Sequence, residues 1–235
     1  LLTLAFDTSS PVLTVAIGDG ERIITETTTW LPRGHMAKLL PAIDGLLKDA
    51  GLTVQDVEAV IIGSGPGSYT GLRIGMVIAR TLAQLLKVPI LGISSLDAIA
   101  QRNIKEGALI CPVVDAKRGE VYAAFYRSAG DTVNRFTNFK AIAPDALAEL
   151  LQLEGYERVI FAGDGLKLYS DVLVQVLGDK AKLAPEDDWW PLASDLINVA
   201  RPRIRARDFD ELYQLAPIYV RLSQAEEIWE KRHRG

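Results

Sequence analysis

The 235-residue sequence contains one cysteine, Cys111, and only two histidines, His35 and His233. A single thiol rules out an intrachain disulfide and fits a reducing cytoplasm, where the chain is expected to reside. Cys111 sits within the apolar run 108–114, so a small buried hydrophobe is expected there. The histidines stand far apart without a partner at metal-ligand spacing, which argues against a metal box. No Ser-His-Asp or Cys-His arrangement can be assembled around them. No run of about 18 apolar residues occurs, so no membrane span is expected. The first residues read directly as a strand, with no basic segment ahead of an apolar one, so no signal peptide is expected. Lys and Arg number 26 against 30 Asp and Glu, a net charge of −4 without a basic run. Phosphate neutralisation needs clustered cations, so any contact with RNA is expected to pass through another subunit.

What the sequence does have is apolar patterning, with 49% hydrophobic residues, enough for a sizeable core. Residues 1–8 read as a buried strand ending in Asp7-Thr8-Ser9-Ser10. Strands follow at 14–18 and 22–29, joined at the Asp19-Gly20 hairpin signal. A helix is predicted over 34–50, with Met36, Leu39, Leu40, Ile43, Leu46 and Leu47 at helical spacing, and Gly51 as its stop. Thr53 and Asp56 suggest a short capped helix. A strand at 59–63, a glycine-rich loop at 63–71, a helix at 72–87, a strand at 89–93 and a helix at 95–103 complete the first unit.

The pattern then restarts. An apolar strand at 108–115 again ends on an aspartate, and turns at 117–120 and 128–131 separate strands at 121–126 and 132–139. A helix at 144–153, a strand at 158–162, the turn Gly163-Asp164-Gly165 and a helix at 166–177 follow. The order β-β-β-α-β-α therefore occurs twice, which points to two lobes divided as 1–103 and 104–235. Residues 191–207 begin as a helix that Arg201-Pro202-Arg203 should interrupt, and 224–232 read as a short polar helix.

Three constellations could carry chemistry. The loop from Gly63 to Gly71 has glycines at 63, 65, 67 and 71 and could present backbone donors to an anion at a helix N-terminus. It matches neither the Walker nor the dinucleotide spacing, and it could equally be a tight turn that lets the helix approach the sheet. Asp7 and Asp115 hold matching places in the two units. Either could hold a metal-bound water beside a phosphate, or close a strand end through local backbone bonds. The helix at 72–87 is apolar nearly all round, with Gly71, Gly75 and Ala79 as a small-residue stripe that permits close helix approach. The two long helices could cover each other or offer an apolar patch to a partner.

Asp7-Thr8-Ser9, HMAKLLPAI at 35–43, GPGSYTGLRIG at 65–75, GISSL at 92–96, DAKRGEVY at 115–122 and PIYVR at 217–221 together resemble the TsaB family, also called YeaZ. This is the B subunit of the bacterial machinery for tRNA threonylcarbamoyladenosine, and the motifs span nearly the whole chain. The family often has Phe where Tyr69 stands and Ser where Met36 stands. The resemblance implies the two-lobed α/β fold of actin, Hsp70 and sugar kinases, a duplicated ribonuclease-H-like unit with mixed sheets flanked by helices. It implies a non-catalytic scaffold or activator that pairs with the catalytic subunit TsaD. That pair would support threonylcarbamoyl transfer to the adenosine beside the anticodon of tRNAs reading ANN codons. TsaD carries a metal-binding His-x-x-x-His segment whose places fall here on Ser95 and Ile99, neither of them an imidazole. Further partners implied are TsaE in a ternary complex and a second copy when the chain is alone, with tRNA met only through the complex.

The interface residues implied are His35, Met36, Leu39, Leu40, Ile43, Leu72, Arg73, Met76, Val77 and Arg80. Nucleotide-facing residues would be Asp7, Thr8, Ser9, Gly65, Gly67, Asp115 and Gly163. No tightly bound cofactor or metal is expected, and ATP or ADP would bind only weakly or at the subunit interface. The alternative is an active actin-like ATPase or kinase.

Overall fold

The computed structural model describes residues 1–20, 22–31 and 34–221, so the polar helix expected at 224–232 lies outside the described residues. Strands β1 (Leu2–Asp7), β2 (Val12–Asp19), β3 (Arg22–Trp30), β4 (Ala59–Gly63) and β5 (Ile90–Ile93) form one sheet in the order β3-β2-β1-β4-β5. β1 runs antiparallel to β2 and parallel to β4. Successive strand side chains point to opposite faces, so β1 feeds two cores at once. Leu4 and Phe6 pack beneath helices α1 (His35–Asp49) and α2 (Tyr69–Leu86). Ala5 and its cross-strand neighbour Ala16 face the other way, toward α3 (Ser95–Arg102) and α6 (Ala193–Arg205), where Ala98, Ala193 and Ala200 join the same cluster. Small residues on both partners let these helices lie close to the sheet.

Helix α2 begins three residues earlier than expected because Ser68 caps it, its hydroxyl accepting from Gly71 N at 3.2 Å. The second sheet contains β6 (Leu109–Lys117), β7 (Glu120–Ala123), β10 (Lys140–Ile142), β11 (Val159–Ala162) and β12 (Ala181–Leu183). Its order, β10-β7-β6-β11-β12, repeats the topology of the first. Helices α4 (Pro144–Leu153) and α5 (Leu166–Leu177) cover it.

Three expectations are corrected. The strand predicted at 121–126 breaks at Ala124-Phe125. Its second half becomes β8 (Tyr126–Ala129), which pairs with β9 (Thr132–Arg135) and touches β6 at Ile110. Tyr126 drives this departure: it is fully buried and its hydroxyl donates to Asp97 Oδ1 of α3 at 2.7 Å. The third place of the repeat consequently falls to β10, not to 132–139. Second, α6 continues through Pro202, which lies in its last turn, so the missing N–H costs only one helical bond near the end. Third, α6 packs on the first sheet although the sequence division assigned it to 104–235. Residues 206–221 follow it past β5, where Asp210 N bonds Ile90 O at 3.0 Å, to the end of β4, where Ile218 N bonds Ser64 O at 2.8 Å. They end at the second lobe, where Arg221 donates to Ala116 O at 2.7 Å and pairs with Glu120.

Candidate functional site: the cleft between the lobes

A cleft of about 710 Å³ lies where the two β1-type turns face each other. Its first-lobe wall is built from Ser9 to Pro11, Gly34 to Met36 and Pro66 to Gly71. Its second-lobe wall carries residues 114–118, Tyr122 and Asp164, and Trp189, Trp190 and Arg221 close the remainder. The volume suits a small molecule.

Of the residues expected to face a nucleotide, Ser9, Gly67 and Asp115 line this cleft. Asp7, Thr8, Gly65 and Gly163 do not; all four are buried beneath its walls. Asp7 Oδ1 accepts from Ser9 N and Oδ2 from Ser95 Oγ, both at 2.6 Å, and Ser9 Oγ reaches Ser95 Oγ at 3.0 Å. Burial raises the Asp7 carboxyl above the usual carboxylate range, with the Ser95 and Ser9 bonds working against that rise. Thr8 donates its hydroxyl to Gly71 O at 2.8 Å. The glycines of the loop and of α2 wrap this turn. A Cβ at Gly63 would lie 1.8 Å from Asp7 Oδ2, and Cβ atoms at Gly71 and Gly75 would lie 1.9 and 2.3 Å from Thr8 atoms. The small-residue stripe therefore receives the chain's own turn, not a second helix. The donor Ser68 N is likewise taken by Ser9 O at 2.7 Å.

The second-lobe turn borders the cleft directly, although the Asp115 carboxylate is itself only 8% exposed. Asp115 accepts from Lys117 N at 2.8 Å and from Lys117 Nζ at 2.5 Å, while its own N–H donates to Asp164 Oδ1 at 2.9 Å. Burial pushes the Asp164 carboxyl up, and the bond that Lys117 Nζ donates to Asp115 raises the lysine ammonium. Lys117 and Arg118 adopt left-handed backbone, with φ of 62° and 58°, a conformation that costs a non-glycine residue on the order of 1 kcal/mol or more.

Ser95 and Ile99 both reach the cleft. A hydroxyl committed to a carboxylate and an alkyl chain do not supply imidazole ligands, and among the described residues no group of three His, Cys, Asp or Glu could hold a metal ion. His35 bonds the backbone of Ser10 and its Nε2 has no hydrogen-bond partner, so among the described residues no serine–histidine pair forms.

The ten expected interface residues divide. Met36 (69% exposed), Leu40, Arg73 and Val77 (63%) stand outside the subunit, and Arg80 is half-buried. His35, Leu39, Ile43, Leu72 and Met76 are buried within it. The regular helical spacing of Leu39, Ile43, Leu46 and Leu47 marks the face that α1 turns to its own sheet. A partner-facing residue shows itself as an apolar side chain out of phase with that face. Leu85 on α2 and Tyr213 and Tyr219 on the C-terminal segment, none of them among the ten expected residues, are exposed as well. Arg80 bonds Tyr213 O at 2.8 Å, and Arg73 bonds the hydroxyls of Tyr219 and Tyr69. The Trp189-Trp190 pair was also missed, although adjacent tryptophans after an acidic run were a visible signal.

A family model described as TsaD, tRNA N6-adenosine threonylcarbamoyltransferase, matches residues 29–229. The tRNA threonylcarbamoyladenosine biosynthesis protein TsaB of Bacillus subtilis is 33% identical over 96% of each chain. A crystal structure of a Pseudomonas aeruginosa protein described as similar to peptidase YeaZ superposes with a TM-score of 0.80 at 28% identity, covering 94% of this chain and 99% of that one. The activator of 2-hydroxyisocaproyl-CoA dehydratase from Clostridium difficile, solved with bound ADPNP, reaches a TM-score of 0.50 at 13% identity over 90% of this chain and 99% of its own. That last likeness concerns the fold alone, the two-lobed α/β architecture of actin-like ATPases and sugar kinases.

Proposed function

The chain belongs to the TsaB family of tRNA threonylcarbamoyladenosine biosynthesis proteins, and from that premise we propose that it is a non-catalytic subunit which pairs with TsaD and supports its transfer reaction. The reaction so supported is threonylcarbamoyl transfer to the adenosine beside the anticodon of tRNAs reading ANN codons. The observation that carries this reading is the apolar surface of α1 and α2, where Met36, Leu40, Val77 and Leu85 stand exposed outside the subunit's own core. Both helices cover the same face of the first sheet, so these side chains share one side of the molecule. The composition fits the core of a protein interface, with arginine and tyrosine beside it. The sealed state of Asp7 supports the absence of chemistry in this subunit, because a carboxylate holding two internal donors is not free to position a metal-bound water. The rival reading, an active actin-like ATPase or kinase, depends on that same residue.

In this reading the protein works in the cytoplasm, TsaE joins the pair, the chain forms a homodimer when alone, and tRNA is contacted only through the complex. ATP or ADP is held weakly or at the subunit interface. Mixing the chain with TsaD is expected to give a stable complex on size exclusion. Met36→Glu and Val77→Glu should weaken that complex at least tenfold without unfolding the subunit. Full modification by TsaD alone, given the activated threonylcarbamoyl donor, would overturn the proposal.

A further inference from the structure

A second concave site lies outside the cleft, at the far end of the second sheet. β6 runs from Leu109 to Lys117, and its last residues line the cleft. At about 3.3 Å per residue, its first residue lies about 26 Å from its last. At that first end three segments come together: the connection from α3 to β6, the β8–β9 hairpin and the connection from α4 to β11. They enclose an open pocket of about 740 Å³. Each segment brings one cation, Lys105, Arg127 and Arg158 in turn, and all three are exposed.

None of these three cations makes an ion pair among the described residues, although Glu106 and Glu157 line the same pocket. Exposed lysines elsewhere do pair, Lys48 with Asp44 at 2.6 Å and Lys167 with Glu186 at 2.9 Å. The pocket therefore has a surplus of positive charge on a chain whose net charge is −4. Arg127 is held in place by the Phe136 ring, whose centroid lies 4.7 Å from its guanidinium carbon. Arg158 is anchored through its backbone, its carbonyl accepting from Leu109 N at 3.0 Å. Tyr156 is half-buried in the pocket wall, its ring edge-on to Phe125 at 6.3 Å. Gly107, Gly130 and Gly155 turn the three segments, and nothing lies within 4 Å of the place a side chain would take, so the approach is unobstructed. Two planar guanidinium forks and an ammonium suit a group with several acceptor oxygens.

We propose that this pocket holds a backbone phosphate of RNA, as one contact point for the tRNA on which the family's pathway acts. Phosphate contacts position a nucleic acid without reading its sequence. With so small a surplus of charge the site is too weak to recruit tRNA alone, and it adds to contacts made by the rest of the complex. The proposal rests on the tRNA pathway of the family and not on pairing with TsaD, so its failure would leave that pairing standing. A free phosphate shares the chemistry, and the test separates the two sources.

The isolated full chain, isotopically labelled, is titrated at low salt with an unmodified tRNA transcript and followed by NMR. Shifts are expected in the amides of Gly107, Gly130 and Gly155 and in the side-chain Nε–H groups of Arg127 and Arg158. Arg127→Gln combined with Arg158→Gln should weaken binding about fivefold and lower the slope of log K against log salt by about two. Glu106→Gln combined with Glu157→Gln should instead tighten it about threefold. All four side chains are exposed, and thermal melting confirms that each variant is folded. Inorganic phosphate at the same concentration should shift the pocket far less than tRNA does. The proposal is overturned if the tRNA shifts gather on another face, if the double arginine variant binds as the parent does, if the double glutamate variant binds more weakly, or if no shift appears at tRNA concentrations of about 1 mM. Equal occupancy by inorganic phosphate would assign the pocket to a free phosphate and likewise overturn the assignment to RNA.

Discussion

The two lobes present an aspartate in the same topological place and set it differently against the cleft. Asp7 is enclosed: two internal donors hold its oxygens, and Gly63 leaves no room beside it for a methyl group. Asp115 stays at the cleft, bridged to a lysine whose side chain is largely in water. The difference arises in the elements that follow each turn. The first lobe sends a glycine-rich loop and a glycine-bearing helix across the turn, so backbone approaches backbone and the carboxylate is shut in. In the second lobe the strap of Gly163 to Gly165 crosses lower, over Val113, where Gly165 N meets Val113 O at 3.0 Å. Asp115 and Asp164 therefore line the cleft, although both carboxyls are largely buried. An aspartate at a strand end is thus a chemical group or a structural bolt according to what crosses above it.

The contrast can be broken by mutation. The largest effect is expected from Gly63→Ala, whose Cβ would meet the Asp7 carboxylate inside a strand; urea unfolding should show a loss of more than about 3 kcal/mol. A loss under about 1 kcal/mol would mean that the carboxylate can swing away and that the turn is not sealed. Next comes the pair Asp7→Ala and Asp115→Ala. The first strands Ser95 Oγ and Ser9 N and should cost about 2–3 kcal/mol, the second about 1 kcal/mol or less. Equal losses would remove the distinction between the lobes.

The third effect is a pH dependence. Burial raises the Asp195 carboxyl to about 7, with Glu26 and Asp188 adding to the rise and Arg102 opposing it. The folded state then binds this proton more tightly than the unfolded state does. The contribution is full below about pH 4 and is lost as pH rises toward 7. With Arg102 opposing the rise, the decline should be on the order of a few kcal/mol, and Asp195→Asn should flatten it. A stability profile unchanged by that substitution would show that Asp195 is already ionised in the native protein. The smallest effect is expected from Lys117→Ala, which removes an exposed partner and should change stability by less than about 0.5 kcal/mol.

Much of the fold was legible in the sequence because it is written in local periodicity. The strand-Asp-hairpin unit, the helix over 34–50 with its Gly51 stop, and the recurrence after residue 107 all follow from alternation, helical spacing and turn residues. The orientation of side chains was less legible. Leu39 and Ile43 were expected at a partner interface because they are apolar and helical, yet a helix facing its own sheet carries the same spacing. Only the out-of-phase Met36 and Leu40 distinguish the two faces, and their meaning requires knowing which side the sheet occupies. The break at Ala124-Phe125 was hidden for a similar reason. Tyr126 continues a strand-like run in sequence, but its buried hydroxyl bonds Asp97, 29 residues away, across the lobe boundary.

By itself the sequence determined the duplicated α/β unit, the absence of imidazoles at 95 and 99, and the family. These are properties of residue identity and short-range pattern. The tertiary structure alone decided that Asp7 lies beneath the cleft wall while Asp115 lines the cleft, that α6 returns to the first lobe, and that His35 lies in the cleft wall with a buried, unpaired nitrogen. Each of these depends on which distant segment fills the space around a side chain, and burial is a property of the packed chain that no local pattern encodes.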